Sequence, residues 1–322
     1  MKAIVLLMCV GLTCILSGCM ASLPQDIPSE SLTYKNKVDI RIMGSRRSYL
    51  VHVPPAYETR SPLPLVVAIH GAFETAKDME ERSGFSDLAD KEGFAVVYPN
   101  GFGLFGLLQH WNAGHCCGKA AADGIDDVSF LVEVIEDVKK RLPIDLKRVY
   151  MVGFSNGGML AHRFAAEKTD TLSALATVAA TIGSHTTGEA PLWRMPDPEA
   201  SLPLIAFHGL ADDAIPAQGG ISPKRGGDQE FISVDDSTDF WIRNNGCHPD
   251  PLLNNSHQGR VRIQTWRGCR QDAQVKLYLL EHWEHVWPGL HYTADLDTDN
   301  PLKNFDAAAI IWDFFKSPYR TP

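Results

Sequence analysis

The chain has 322 residues, 44% of them hydrophobic, and a net charge of −9. That length and apolar fraction are enough to bury a sizeable core in one large α/β unit. The acidic balance, with no basic cluster, argues against nucleic acid as a partner, and no internal repeat or low-complexity tract is visible.

Lys2 gives a positive n-region, and Ile4 to Leu16 is an apolar run too short for a comfortable membrane span. Residues 1–18 therefore read as an export signal. The run ends in Leu16-Ser17-Gly18-Cys19, which resembles a bacterial lipobox. That resemblance makes Cys19 the lipidated first mature residue, held to a bacterial membrane by acyl chains. A plain secretory signal cleaved nearby is the alternative, and either one places the mature protein outside the cytoplasm. Residues 19–31 read as a tether and 32–318 as one α/β domain, since no linker divides them.

Tyr49 to Pro54 reads as a strand, and Leu63 to His70 is a continuous apolar run of the kind buried on both faces of a parallel sheet. Met79 to Glu92 has helical spacing, and Phe94 to Pro99 is another buried strand. Val128 to Leu142 reads as a helix started by Asp126 or Asp127 and stopped by Pro143. Arg148 to Val152 is a strand, and Leu172 to Ala180 holds the end of a helix and a further strand. Leu202 to His208 (strand), Val234 to Asn244 (helix), Val275 to Leu280 (strand) and Asp306 to Phe315 (apolar helix) complete the pattern. Strands alternating with helices imply a mostly parallel sheet covered on both faces.

Setting aside Cys9 and Cys14 in the signal and Cys19, four cysteines remain in an oxidising compartment. Cys247 and Cys269 each follow a glycine and bracket a polar, hairpin-like segment, which favours pairing them and leaves Cys116 and Cys117 as a vicinal pair. Cross pairing is the alternative. His110 and His115 lie near Cys116 and Cys117, but adjacent cysteines are poor zinc spacing. The acidic run Asp295-x-Asp297-x-Asp299 lacks the glycine and terminal glutamate of a calcium loop. No metal site is read from either.

The chemistry centres on Gly153-Phe154-Ser155-Asn156-Gly157, where a β-prone run feeds a serine flanked by glycines and a helical segment follows. In that context Gly-x-Ser-x-Gly places a serine on a tight strand-to-helix turn, its hydroxyl pushed out above a sheet. A serine hydroxyl needs a base, a carboxylate to orient the base, and donors for a developing oxyanion. The partners are expected in the order serine, acid, histidine, each on the loop after a strand. Asp212 is the candidate acid, with Asp213 beside it as the rival. His285 is the candidate base, with His282 and His291 competing. Backbone N–H groups of Asn156 and of Ala72, or its neighbour Gly71, are the candidate oxyanion donors. Trp111, Trp287 and Phe102 fall on segments expected near the mouth of the site, where they stack on substrate or merely pack.

Taken together, these segments resemble the secreted esterases that include polyhydroxybutyrate depolymerases and feruloyl esterases. The resemblance runs from about Ser48 to Phe315. It is carried by Pro64 to Gly71, Tyr98-Pro99-Asn100-Gly101, Trp111 to Gly118, Asp126 to Leu131, Val152 to Met159, His208-Gly209 and His285-Val286-Trp287-Pro288-Gly289. It implies an α/β-hydrolase fold, a triad of Ser155, Asp212 and His285, and ester hydrolysis without a cofactor. Leu210 and Trp283-Glu284 depart from the smaller residues that members often carry there, and their bulk and charge bear on the substrate pocket. The expected partner is a small or oligomeric ester. An acetyl esterase acting on polysaccharide, or a non-catalytic binding protein on the same fold, is the alternative.

Overall fold

The computed structural model describes residues 32–42, 45–55, 62–104, 107–186, 195–224 and 229–317. The expected signal at 1–18, the tether with Cys19, and residue 318 at the end of the expected domain lie outside the described residues. Strand β1 (Leu32–Ile42) pairs antiparallel with β2 (Ser45–Val53). Then come β3 (Leu63–Ile69), α1 (Ala76–Ser83), α2 (Phe85–Glu92) and β4 (Ala95–Pro99). A short antiparallel pair, β5 (Phe102–Leu104) and β6 (Leu107–His110), leads to α3 (Gly118–Ala122) and α4 (Asp127–Arg141). After them lie β7 (Ile144–Phe154), α5 (Asn156–Glu167), β8 (Ala174–Val178), β9 (Ser184–Thr186) and β10 (Leu204–Gly209). The strands β11 (Gly220–Ile221) and β12 (Gln229–Phe231) precede α6 (Val234–Asn245). The hairpin β13 (Leu252–Ser256) and β14 (Val261–Trp266) is followed by β15 (Val275–Leu280), α7 (Leu290–Thr293) and α8 (Ala307–Lys316).

Among the described residues, ten strands form one sheet in the order β1-β2-β4-β3-β7-β8-β10-β15-β14-β13. The run from β4 to β15 is parallel throughout, and antiparallel strands extend it at both edges. The sheet is buried on both faces: β3 and β4 are buried at every position, and β7 is buried from Val149 to Phe154. Period-2 alternation splits each strand between two cores. In β3, Leu65, Val67 and Ile69 join Leu131, Leu160, Phe164 and Trp241 of α4, α5 and α6. Val66 and Ala68 join Met79, Phe85, Ile311 and Phe315 of α1, α2 and α8 on the other face. Since the central strands run the same way, the loops leaving β3, β7, β10 and β15 gather at one edge, where open parallel sheets place their sites.

Local signals explain most boundaries. The Asp126 side chain accepts from the Ser129 N–H at 2.9 Å and caps α4, while Asp127 is buried. The single helical segment expected at Met79–Glu92 is instead two helices. Gly84, at φ 70°, ends α1 and opens α2, and a left-handed residue cannot continue a helix. The strands β5, β6, β9, β11 and β12 were not anticipated; at two to four residues they are too short to print a period. No helix among the described residues is long and apolar enough to cross a membrane.

Cys247, just past α6, is disulfide-bonded to Cys269, just past β14, and Cys116 to Cys117. The first bridge closes a loop with a sequence separation of 22 around the edge hairpin. Chain-entropy arguments give such a loop about 3 kcal/mol of stabilisation. The double variant Cys247→Ser, Cys269→Ser is expected to unfold at lower urea concentration, with a loss of that order in denaturant titration.

Candidate active site

The serine turn follows from backbone crowding. Strand β7 ends at Phe154 and α5 starts at Asn156, so one residue makes the bend. That residue is Ser155, at φ 52° and ψ −123°, a conformation that side chains other than glycine rarely adopt. The crossing leaves no room on either side. A Cβ on Gly153 would run into the Gly157 carbonyl, and one on Gly157 would run into the carbonyl oxygen of His70 at the end of β3. The Ser155 N–H donates to the Val178 carbonyl of β8 at 2.9 Å, which fixes the turn from its other flank.

The loops after β10 and β15 are laced together. The Leu210 N–H donates to the Leu280 carbonyl at 2.9 Å and the Ala211 N–H to the Trp283 carbonyl at 3.0 Å. This brings Asp212 and His285 together. His285 Nδ1–H donates to Asp212 Oδ2 at 2.7 Å, and the Ser155 hydroxyl donates to His285 Nε2 at 2.8 Å. Asp212 Oδ1 accepts from the Ala214 and Ile215 N–H groups at 2.9 and 2.8 Å. Burial alone pushes the Asp212 carboxyl up, but the hydrogen bond and charge of His285, with His208 and the Ile215 N–H, hold it below the ordinary carboxylate range. Asp213, the rival acid, instead faces Lys224 at 3.6 Å with its side chain half exposed. His282 and His291 are both exposed, and neither enters this relay.

The loop after β3 supplies donors. The Gly71 N–H donates to Glu74 Oε2 at 2.9 Å and the Phe73 N–H to the Gln109 carbonyl at 2.7 Å. Between them, the Ala72 N–H has no acceptor among the described residues, nor has the backbone N–H of Asn156 in the first turn of α5. The Asn156 side chain is committed elsewhere: it accepts from the Trp111 N–H at 2.8 Å and donates to the Trp111 carbonyl at 3.0 Å. His70 donates from Nδ1 to the Gly71 carbonyl at 2.7 Å and accepts the Gly101 N–H on Nε2 at 3.0 Å. Burial lowers its pKa to about 4, so it braces the loop as a neutral ring.

Two expected substrate contacts are corrected by burial. Trp111 is wholly enclosed, its Nε1–H donating to the His70 carbonyl at 2.9 Å, so it is a strut under the donor loop. Trp287 is equally enclosed, edge-on to Phe85 and Phe154. Both are too large and apolar to stay at a loop surface when a core lies beneath. The open cleft beside Ser155, about 550 Å³, is lined instead by Phe73, Glu74, Arg82, Ala214, Lys224 and His285, among others. Phe73 is 63% exposed and held there by a left-handed backbone. Trp283 and Glu284 line a different hollow, with Arg260 and Tyr292, and are not among the residues lining the cleft. Glu74 and Arg82 were missed by sequence reasoning. The available signal was a glutamate three residues after Gly71, just ahead of the Thr75–Asp78 capping box.

Residues 47–190 match the family described as Esterase PHB depolymerase. Over that stretch the chain is similar to esterases of this kind. NocK of Nocardia uniformis subsp. tsuyamanensis is 30% identical over 182 residues, 56% of this chain and 49% of its own length. The probable feruloyl esterase C of Aspergillus terreus is 26% identical over 277 residues, 84% of this chain and 83% of the relative. The chain spans less than half the length of the first curated relatives it matches. Among solved structures, a ferulic acid esterase from Anaeromyces mucronatus superposes with a TM-score of 0.55 at 15% identity, covering 90% of this chain and 91% of its own. That likeness carries the fold, which is the α/β-hydrolase fold.

The two adjacent aspartates give a sharp test. Asp212→Asn is expected to lower kcat on an activated ester by about 10³- to 10⁴-fold, because an amide no longer fixes the imidazole tautomer. Asp213→Asn is expected to stay within about threefold of the parent, as a surface substitution. Steady-state kinetics on the two purified variants compares them directly.

Proposed function

We propose that the protein is an extracytoplasmic serine esterase that hydrolyses carboxylic esters through an acyl-enzyme on Ser155. The observation that carries this reading is the unbroken relay from Ser155 Oγ through His285 to Asp212, at 2.8 and 2.7 Å, opening on a cleft. Ser155 attacks the ester carbonyl as His285 Nε2 takes its proton. Asp212 keeps Nδ1 protonated and stabilises the imidazolium that forms. The carbonyl oxygen, now negative, is received by the Ala72 and Asn156 N–H groups. His285 returns the proton to the departing alcohol, then activates water to release the acid. Each step uses groups of the chain itself, and the reading calls for no cofactor.

The substrate class proposed is that of feruloyl esterases or of polyhydroxybutyrate depolymerases acting on soluble oligomers. Support comes from the names of the relatives and from Phe73, which offers an exposed aromatic wall beside Ser155. A membrane anchor on Cys19 rests on the lipobox-like Leu16-Ser17-Gly18-Cys19.

A fluorophosphonate probe is expected to label Ser155 in the folded protein and to leave Ser155→Ala unlabelled. Absence of any adduct on the folded parent would sink the esterase reading. In a hydrolysis panel of methyl ferulate, acetylated xylan, p-nitrophenyl acyl esters and hydroxybutyrate oligomers, methyl ferulate or the oligomers are expected to turn over. Turnover of short p-nitrophenyl esters alone would remove both substrate classes. Labelled palmitate supplied to expressing bacterial cells is expected to enter the parent protein and not Cys19→Ser.

A further inference from the structure

We infer that Glu74 is a positioning residue for the Ser155 reaction: its carboxylate, paired with Arg82, aims the 71–73 loop and sets part of the charge that His285 works against. The inference rests on the esterase reading. Glu74 spends its two oxygens on two tasks. Oε2 accepts the Gly71 N–H at 2.9 Å, and Oε1 meets Arg82 Nη2 at 2.6 Å. Tying the Gly71 N–H to Glu74 fixes the peptide just ahead of Ala72, whose own N–H has no acceptor among the described residues. Phe73 is tied from the other side by Gln109, so Ala72 is clamped between two anchored neighbours. The distance from Glu74 to the nucleophile is short. A Cβ built on Gly71 would lie 3.2 Å from Glu74 Oε2 and 3.3 Å from Ser155 Cβ.

Arg82 is needed because a bare carboxylate here would oppose the oxyanion. Its guanidinium lies 5.1 Å from the ring of Phe154, the residue before the nucleophile, and reaches Glu74 from the last turn of α1. Burial raises the Glu74 carboxyl above its ordinary value, while Arg82 and the Gly71 N–H favour the ionised form; Asp78 opposes it and His285 attracts it. His285 is faced by Asp212 and Ser155 within the relay, by buried His208 behind Asp212, and by Glu74 and Arg82 across the cleft. Lys224 stands on the cleft wall with Asp213 at 3.6 Å. The Glu74 carboxylate therefore places a negative charge, and Arg82 a positive one, on the cleft wall that His285 shares.

The sign of the effect follows. Glu74→Gln keeps an oxygen for the Gly71 N–H but deletes the negative charge and leaves Arg82 uncompensated. Both changes disfavour the imidazolium. The acid limb of kcat/KM is expected to move to lower pH by on the order of half a pH unit. Plateau kcat should remain within about threefold, because the loop keeps its anchor. Glu74→Ala removes the anchor as well, and kcat per active site is expected to fall by about ten- to a hundredfold with KM changed far less, a fraction of the cost of deleting an oxyanion donor. The assay is p-nitrophenyl acetate hydrolysis from pH 5 to 9, normalised to sites counted with a fluorophosphonate. An active parent whose Glu74→Gln variant keeps the parental acid limb would overturn the inference, even where Glu74→Ala fails to fold. A parent that binds no fluorophosphonate removes the esterase reading itself, and this inference with it.

Discussion

The constraint on which the site depends is the near-contact of two backbones, Gly157 in the first turn of α5 against the His70 carbonyl at the end of β3. A side chain at position 157 would force these elements apart. Because they approach so closely, the serine turn and the donor loop share one wall, and Ser155 lies beside the loop whose N–H groups are proposed to receive the oxyanion. Trp111 seals the same junction from beneath. It bonds the His70 carbonyl through its indole and both amide atoms of Asn156 through its backbone. The next residue, Asn112, gives its N–H to Asp127 Oδ2 at 2.7 Å, and Asp127 is paired in the interior with Arg47 at 2.5 Å. The junction is thus built from close packing of small residues above and a buried ion pair below.

Charge is handled differently on the two sides of the serine. On the acid side, Asp212 is almost fully enclosed, and its charge is met by two backbone N–H groups and one imidazole. On the donor side, Glu74 is only partly enclosed and is met by one N–H and one guanidinium. Fixed dipoles cost no reorganisation when charge develops, so the acid side is already set in the resting protein. Between the two carboxylates stands His285, the group that carries the proton from serine to leaving alcohol in the proposed cycle.

Much of this was legible in the sequence because the relevant signals were local. The strand-glycine-serine-glycine-helix order at 153–157 is a steric necessity written in five residues. The apolar runs at Leu63 and Ala95 give strands of the sheet interior because a strand covered on both faces needs no polar positions to alternate with. The choice between Asp212 and Asp213 was open because it turns on which carboxylate points inward, and adjacent loop residues carry no periodicity to say so. The choice between stacking and packing for Trp111 and Trp287 was open for a related reason. Proximity to a site in sequence says nothing of depth, and large indoles go to the core when one is within reach. Glu74 was invisible because its partners, Gly71 and Arg82, belong to a loop and to the far end of a helix. The split at Gly84 was missed because a single glycine leaves the apolar spacing of 79–92 intact.

The relay joins residues far apart along the chain: Ser155 and His285 stand on strands separated by the whole of β8, β10, α6 and the disulfide-closed hairpin. Because β15 pairs with β10 on one side and β14 on the other, the histidine loop has no platform until these late strands have docked. A chain interrupted before β15 would hold the bent serine turn but not His285. Chemical competence therefore arrives last, as a property of the finished sheet, and hydrolytic turnover would report that the whole architecture has closed.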